Sequence, residues 1–327
     1  MTEKSEFFSS FTEIERRASF SAKQEISPDN FQELVGMYRF EEDVICQVRV
    51  KKGICHQKHK SGWLGVTKEG TEALIGGHCA REYFKADRNF SFERKRVKKE
   101  IERKKALSKL DEYRSQVLVF SMELSSLRSK FIEVRKKLDS IYKSFPDVIL
   151  RFIYESQKTK NWQINVDVTY PGRYQWVIEP LCNLRSISPM QEVISSISKV
   201  KYLIEIYDEI CKLDPTTVAT PKLKKLLDVI SDKERLEKEG EYYLQETDKF
   251  IEPKNLDSLL YVCNDYEDEF LTVRAILSIT GAKVSSDAHI KLRIRRIIER
   301  VEKQFAGCEV RKNQLITRYK KSSFSKS

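Results

Sequence analysis

The sequence predicts a mainly α-helical fold with one compact β-rich module near its start and a small β insertion further on. Three observations carry that reading. Charged residues make up 33% of the 327 positions and hydrophobic residues 40%. Ordinary globular domains show roughly 25% and 45–50%, so this balance suits long helices with wide wetted faces. Glycine is scarce, at 11 in all, too few for the turns and close backbone approaches of a Rossmann domain, β-barrel or β-sandwich. Apolar residues also recur at alternating spacings of three and four over long stretches. The length suffices for two ordinary domains.

Taken in order, residues 1–30 are polar and Ser-rich and read as weakly ordered, with Phe7, Phe8 and Phe11 as docking points. The β-rich module is placed at 31–90. Val44–Lys51 alternates as a strand, and Trp63–Thr67 and Glu72–Ile75 flank Lys68–Glu69–Gly70 as a hairpin, with a helix starting near His78. Residues 91–145 read as a basic neck running into a long coiled-coil helix. Its a/d seam runs unbroken through Leu110, Tyr113, Val117, Phe120, Leu124, Leu127, Phe131, Val134, Leu138 and Ile141, until Pro146. An antiparallel hairpin with a later seam is the expected way to bury it, and a parallel homodimer is the competitor. Residues 146–185 hold the β insertion: Trp162–Val168 alternates, and Tyr174–Ile178 returns across Pro171–Gly172. The body at 186–319 is helical. One seam runs from Val193 to Cys211 behind Ser188–Pro189, a second from Leu256 to Leu277 stops near Gly281, and a last helix covers Asp287–Tyr319. The tail, 320–327, reads as disordered.

The chemistry-bearing residues gather in the module. Cys46, Cys55, His56, His59, His78 and Cys79 are six of the chain's eleven cysteines and histidines, all within 34 residues. Even spreading would put about one there. Thiolate and imidazole donors at such density point to Zn²⁺, and a glycine-rich hairpin too small for its own core gains from that staple. The expected ligands are Cys46, Cys55, His59 and Cys79, with His56 and His78 as alternates. Cys79 falls at a helix start, where the dipole favours a thiolate. Four ligands and no neighbouring carboxylate base imply one structural zinc. Over about residues 44–86 the order of a ligand pair, the hairpin GWLGVTKEGTEALIG and then GGHCAREYF opening a helix resembles a treble-clef zinc finger. That family's usual pairs are Cys-x2-Cys, and neither pair here keeps that spacing. The alternative is that Cys46 and Cys79 are buried thiols and the histidines surface residues.

Lys and Arg total 60 against 49 Asp and Glu, a net charge of +11. Twelve of these cations against five acids lie between Arg81 and Lys109. Arg94, Lys95, Lys98, Lys99, Arg103, Lys104 and Lys105 recur at helical spacing, a stripe suited to phosphates without base readout. Phe84, Phe90 and Phe92 beside it are expected to stack on unpaired bases. There is no GxxxxGK[ST], HExxH, GxSxG or GxGxxG motif. The expectation is a non-enzymatic accessory or scaffold protein that binds nucleic acid, DNA rather than RNA, and a protein partner through helical surfaces. A coiled-coil adaptor without nucleic acid and a nuclease with an unrecognised site are the alternatives. The N-terminus carries Glu3, Glu6, Glu13 and Glu15 where a signal peptide needs an apolar core, and no run of roughly 18 apolar residues exists. The cytoplasm, with reduced cysteines and no membrane contact, is the expected location.

Overall fold

Helices account for most of the described residues, and their strands form three small sheets. The computed structural model describes residues 5–51, 53–282 and 286–313. The chain divides into two units, Met1–Gln116 with Ile210–Leu227, and Val117–Glu209 with Asp228–Ser327. Among the described residues no helix is long and apolar enough to cross a membrane. The expected tail at 320–327 and the end of the last expected helix lie outside the described residues.

The first unit is built on β1 (Glu6–Phe8), α1 (Phe11–Glu15), β2 (Phe31–Ile45), β3 (Arg49–Val50), β4 (Gly53–Ile54), β5 (Lys58–Thr67), β6 (Glu72–Gly76), α2 (Gly77–Glu82) and α3 (Arg88–Ser115). One sheet has the order β1-β2-β5-β6, with β1 parallel to β2 and the other pairs antiparallel; β3 and β4 form a separate pair. The β5–β6 hairpin turns at Lys68–Gly70 as the sequence predicts, with Gly70 at a φ of +83°. Most of β2 is absent from the sequence reading. Its pairing with β5 shifts register three times, between Phe31 and Glu33, Leu34 and Gly36, and Arg39 and Val44. Such irregularities erase the period of two by which a strand is recognised. The expected strand Val44–Lys51 is divided between the end of β2 and β3.

Residues 5–30 depart from the weak order expected of them. Ser10 and Glu13 close a capping box on α1, β1 joins the sheet, and Phe8, Ile14 and Ile26 are buried. The sheet therefore has two covered faces. Phe31, Leu34, Trp63 and Ile75 meet Phe90, Val97 and Ile101 of α3 on one side. Phe40, Leu64 and Leu74 meet Phe8 and Ile14 on the other. The start of α3 is thus part of this unit's core and not a free-standing neck.

Arg96 fastens that helix. Its guanidinium donates to Glu93 (2.6 and 2.8 Å), to Glu100 (3.0 and 3.1 Å), to the Ser5 hydroxyl and to the Leu34 carbonyl (2.7 Å). Glu93 in turn accepts the Leu34 N–H at 2.9 Å. Burial alone would raise the Glu93 pKa, but the bonds from Arg96 and the Leu34 amide, with the Arg96 charge, hold it below the usual carboxylate range.

The second unit comprises α4 (Val117–Ser144), α5 (Asp147–Thr159), β7 (Gln163–Thr169), β8 (Val177–Asn183), most of α6 (Met190–Lys212), the end of α7 (Thr220–Ser231), α8 (Lys233–Phe250), α9 (Pro253–Leu256), a 3₁₀ turn (Asp257–Val262), α10 (Tyr266–Ile279), α11 (Asp287–Gln304) and β9 (Glu309–Lys312). The long seam breaks at Gln116, whose backbone leaves the helical region (φ −109°, ψ 23°). Its α4 half is buried, from Phe120 to Ile141. It packs on α8, which the sequence reading passed over and which runs parallel to it, and also on the two helices expected to cover it, α6 (Phe120 and Tyr207 rings 4.4 Å apart) and α10. Glu123, Lys130 and Lys137 pair with Lys233, Glu241 and Asp248, so both numberings rise together. Ser188 and Ser196 bond Glu246 and Glu239, which sets α6 antiparallel to α8.

Two further expectations change. The Leu256–Leu277 seam is interrupted at Cys263–Asp265, because the Asp265 carboxylate caps α10 by accepting the Asp268 N–H at 2.9 Å. The last helix ends at Gln304, and β9 then returns to pair with β7, making the insertion a sheet of order β8-β7-β9.

Two outcomes test this architecture. A Cβ at Gly240 would sit 3.2 Å from the Phe131 ring, so Gly240→Leu should lower stability by about 1–3 kcal/mol in denaturant titration. A carboxylate with a depressed folded pKa contributes stability above its unfolded pKa of about 4.3 and loses it as pH falls through the folded value. Glu93→Gln should therefore cost about 2–3 kcal/mol at neutral pH and lessen the further loss of stability on acidification.

Candidate metal centre and adjoining basic face

Cys46 follows the last residue of β2, Cys55 follows β4, and Cys79 lies in α2 directly behind β6. Gly62 and Gly76 are partners across the β5–β6 ladder, and a Cβ on Gly62 would meet the Ile75 carbonyl at 2.2 Å and the Tyr38 hydroxyl at 2.5 Å. The missing side chain leaves room for the buried Tyr38. Short backbone bonds then fold the intervening loop inward: Cys46 N–H to Gln57 O (3.0 Å), Cys55 N–H to Val48 O (2.9 Å) and His56 N–H to Cys46 O (3.2 Å).

The result brings the three sulfurs within 4.8 Å of one another, close enough to hold a metal ion. Cys55 Sγ and Cys79 Sγ are 3.4 Å apart, far beyond a disulfide of about 2.05 Å. Two thiolates bound at about 2.3 Å to a tetrahedral ion would stand about 3.8 Å apart, close to the spacing seen. The Gly76 N–H donates to Cys46 Sγ at 3.4 Å, and the Val48 amide also bonds that sulfur. Both bonds favour a thiolate. Burial, the larger effect, pushes the Cys46 thiol up, and burial with the neighbouring sulfurs does the same to Cys79. Metals bind thiolates, so an ion held here would displace the protons of Cys46 and Cys79.

His59, the expected fourth ligand, lies outside the group. Its Nδ1–H donates to Gln57 O at 3.2 Å, and its Nε2 faces the Tyr38 hydroxyl at 2.5 Å. A carbonyl can only accept, so Nδ1 carries the proton and Nε2 accepts from tyrosine. Burial lowers the His59 pKa, which keeps the ring neutral. Burial, then the adjacent Cys46 and Cys79, raise that of Tyr38. The alternates His56 and His78 are both exposed, each next in sequence to a cluster thiol, and His56 adopts a φ of +53°.

The basic stripe on α3 is divided by its surroundings. Arg103 donates to the Pro215 and Val218 carbonyls, both at 2.8 Å, and Lys104 to Ser5 O at 2.7 Å, so both serve the unit's own packing. Arg94 lies over the Trp63 ring, and Lys105 over Phe7. Lys95, Lys98, Lys99 and Lys105 are exposed. Phe84 and Phe90 are buried against each other with ring centroids 4.5 Å apart, which removes them as stacking platforms; Phe92 remains exposed. Sequence reasoning also missed Arg96, whose role as a fastener depends on Leu34 and Ser5, far away in the chain. No family model, curated protein or solved structure matches this chain.

Purified full-length protein should carry about one equivalent of metal by elemental analysis. Cys79→Ser should lose it, whereas Cys263→Ser, in the second unit and outside the cluster, should not. His59→Ala should also keep the metal, because its ring nitrogens are engaged elsewhere.

Proposed function

We propose that the first unit is a zinc-stapled module that binds nucleic acid, as part of a non-enzymatic accessory or scaffold protein. Three soft thiolate donors favour Zn²⁺ over hard cations. Cys46, Cys55 and Cys79 would supply three ligands, and the imidazole of His56 or His78 the fourth. The ion would supply cross-linking: it would tie β2, the β4 loop and α2 together.

One observation carries the nucleic-acid reading. Between Arg88 and Lys109, the exposed positions of α3 hold Arg88, Lys95, Lys98, Lys99, Lys105 and Lys109, against Glu102 as their lone exposed acid. Glu102 is itself paired with Lys224 at 3.3 Å. Such a face neutralises phosphates and releases counterions, with affinity but no base readout. The adaptor reading draws on a different surface, Leu118, Val119 and Met122 in the first turns of α4, which are 79%, 57% and 73% exposed.

The test is a salt titration of duplex DNA binding. Replacing Lys95, Lys98 and Lys99 with Gln should flatten the slope of log K against log salt by about two to three units and weaken all sequences alike. Arg103→Gln is the contrast: it should destabilise the fold by about 1–3 kcal/mol while leaving that slope nearly unchanged. A triple variant that binds as the parent does would move the adaptor reading to first place.

A further inference from the structure

The first unit has an open cleft of about 410 Å³ between α2 and the start of α3, lined by Arg81, Glu82, Phe84, Lys85, Phe90, Ser91 and Arg94. Ligand sites occupy roughly 300–1,000 Å³, so its size is at the lower end of that range. Three of the lining side chains are cationic and one is acidic. The Arg81 Nε donates to Gly77 O at 3.2 Å, which holds that guanidinium at the rim. The Arg94 guanidinium is held over Trp63, 5.4 Å from the ring centroid. Its Nε is buried and has no hydrogen-bond partner among the described residues. That nitrogen is shielded from solvent, so a ligand in this basic cleft would meet the terminal guanidinium nitrogens instead.

We infer that this cleft seats a phosphate group. Guanidinium forks from Arg81 and Arg94, the Lys85 ammonium and the Ser91 hydroxyl offer donors from several directions, which a tetrahedral oxyanion with four oxygens can accept together. Lys95, Lys98 and Lys99 continue the positive charge along α3, a track that a chain of repeated phosphates uses and a lone carboxylate does not. The assignment rests on the nucleic-acid reading for the source of the phosphate, but not for the site. Arg81, Lys85 and Ser91 lie outside the stripe that the sequence singles out.

The experiment uses the full-length protein, followed by ¹H–¹⁵N NMR with inorganic phosphate as the probe and chloride at matched ionic strength as the control. Phosphate should shift the Arg94 Nε–H resonance saturably, and chloride should not. Arg81→Gln/Lys85→Gln, both at exposed positions, should keep the parent's amide spectrum elsewhere and lose the shift. The same variant should flatten the DNA salt slope by about one to two units. Saturable phosphate binding without any DNA binding would keep the cleft, assign it to a free phosphate compound and remove the nucleic-acid reading. DNA binding with the parent's slope in Arg81→Gln/Lys85→Gln, together with no saturable phosphate shift, would overturn the cleft and leave that reading standing. Loss of both would overturn both.

Discussion

The first unit depends on the pairing of Gly62 with Gly76 at the end of the β5–β6 ladder. With no side chain at Gly62, the Tyr38 ring lies against the ladder, and its hydroxyl meets His59 Nε2. With the ladder ending at Gly76, that residue's N–H is turned to Cys46 Sγ, and the chain enters α2 immediately, delivering Cys79 to the same place. A β-carbon at Gly62 would drive into the Ile75 carbonyl at 2.2 Å, which no side-chain rotation relieves. The position of three sulfurs thus follows from a backbone contact, and each sulfur comes from a separate element.

The charge of α3 follows a different logic. Cations at spacings of three and four fall on every side of a helix once they are as dense as they are here. Packing then sorts them. Arg96 faces the sheet and is neutralised by Glu93 and Glu100. Arg103 and Lys104 end on backbone carbonyls, where an always-charged or flexible donor satisfies acceptors left over by turns. What remains on the solvent side is fewer cations but a cleaner sign, since Glu93 and Glu100 are withdrawn with their partners.

The legible parts of the chain were those governed by local rules. The hairpin at Lys68–Gly70 has its turn chemistry in four residues, and the stop near Gly281 follows from one glycine at a φ of +73°. Clustering of Cys46, Cys55 and Cys79 was visible because thiols are rare in this sequence. The illegible parts were set at a distance. α8 presents Leu236, Gly240, Tyr243, Thr247 and Phe250 to its neighbours, a face whose glycine and threonine hide it from any apolar count. Gly240 is there so that Phe131 can approach. β2 lost its period to bulges, and β9 is a four-residue strand recognisable only by its partner β7. His59 misled for a related reason: its spacing from Cys55 suits a ligand, but Tyr38, some twenty positions earlier, occupies its lone pair.

The metal centre and the basic cleft share one short element, and that makes them interdependent. A helix of six residues has no independent stability, so α2 is held by what its ends bond to. Cys79 anchors it to the sulfur cluster, and Phe84, just beyond it, is buried against Phe31 and Phe90. Arg81 and Lys85 take their positions from those two anchors. An ion bound by the thiolates would fix the first anchor and so reduce the disorder that a ligand in the cleft must otherwise remove. By the reciprocity of linked equilibria, an occupied cleft would tighten the metal by the same factor by which the metal tightens the cleft. With an ion on the thiolates and a phosphate in the cleft, the two ligands would share α2, and occupation of either would change the affinity of the other.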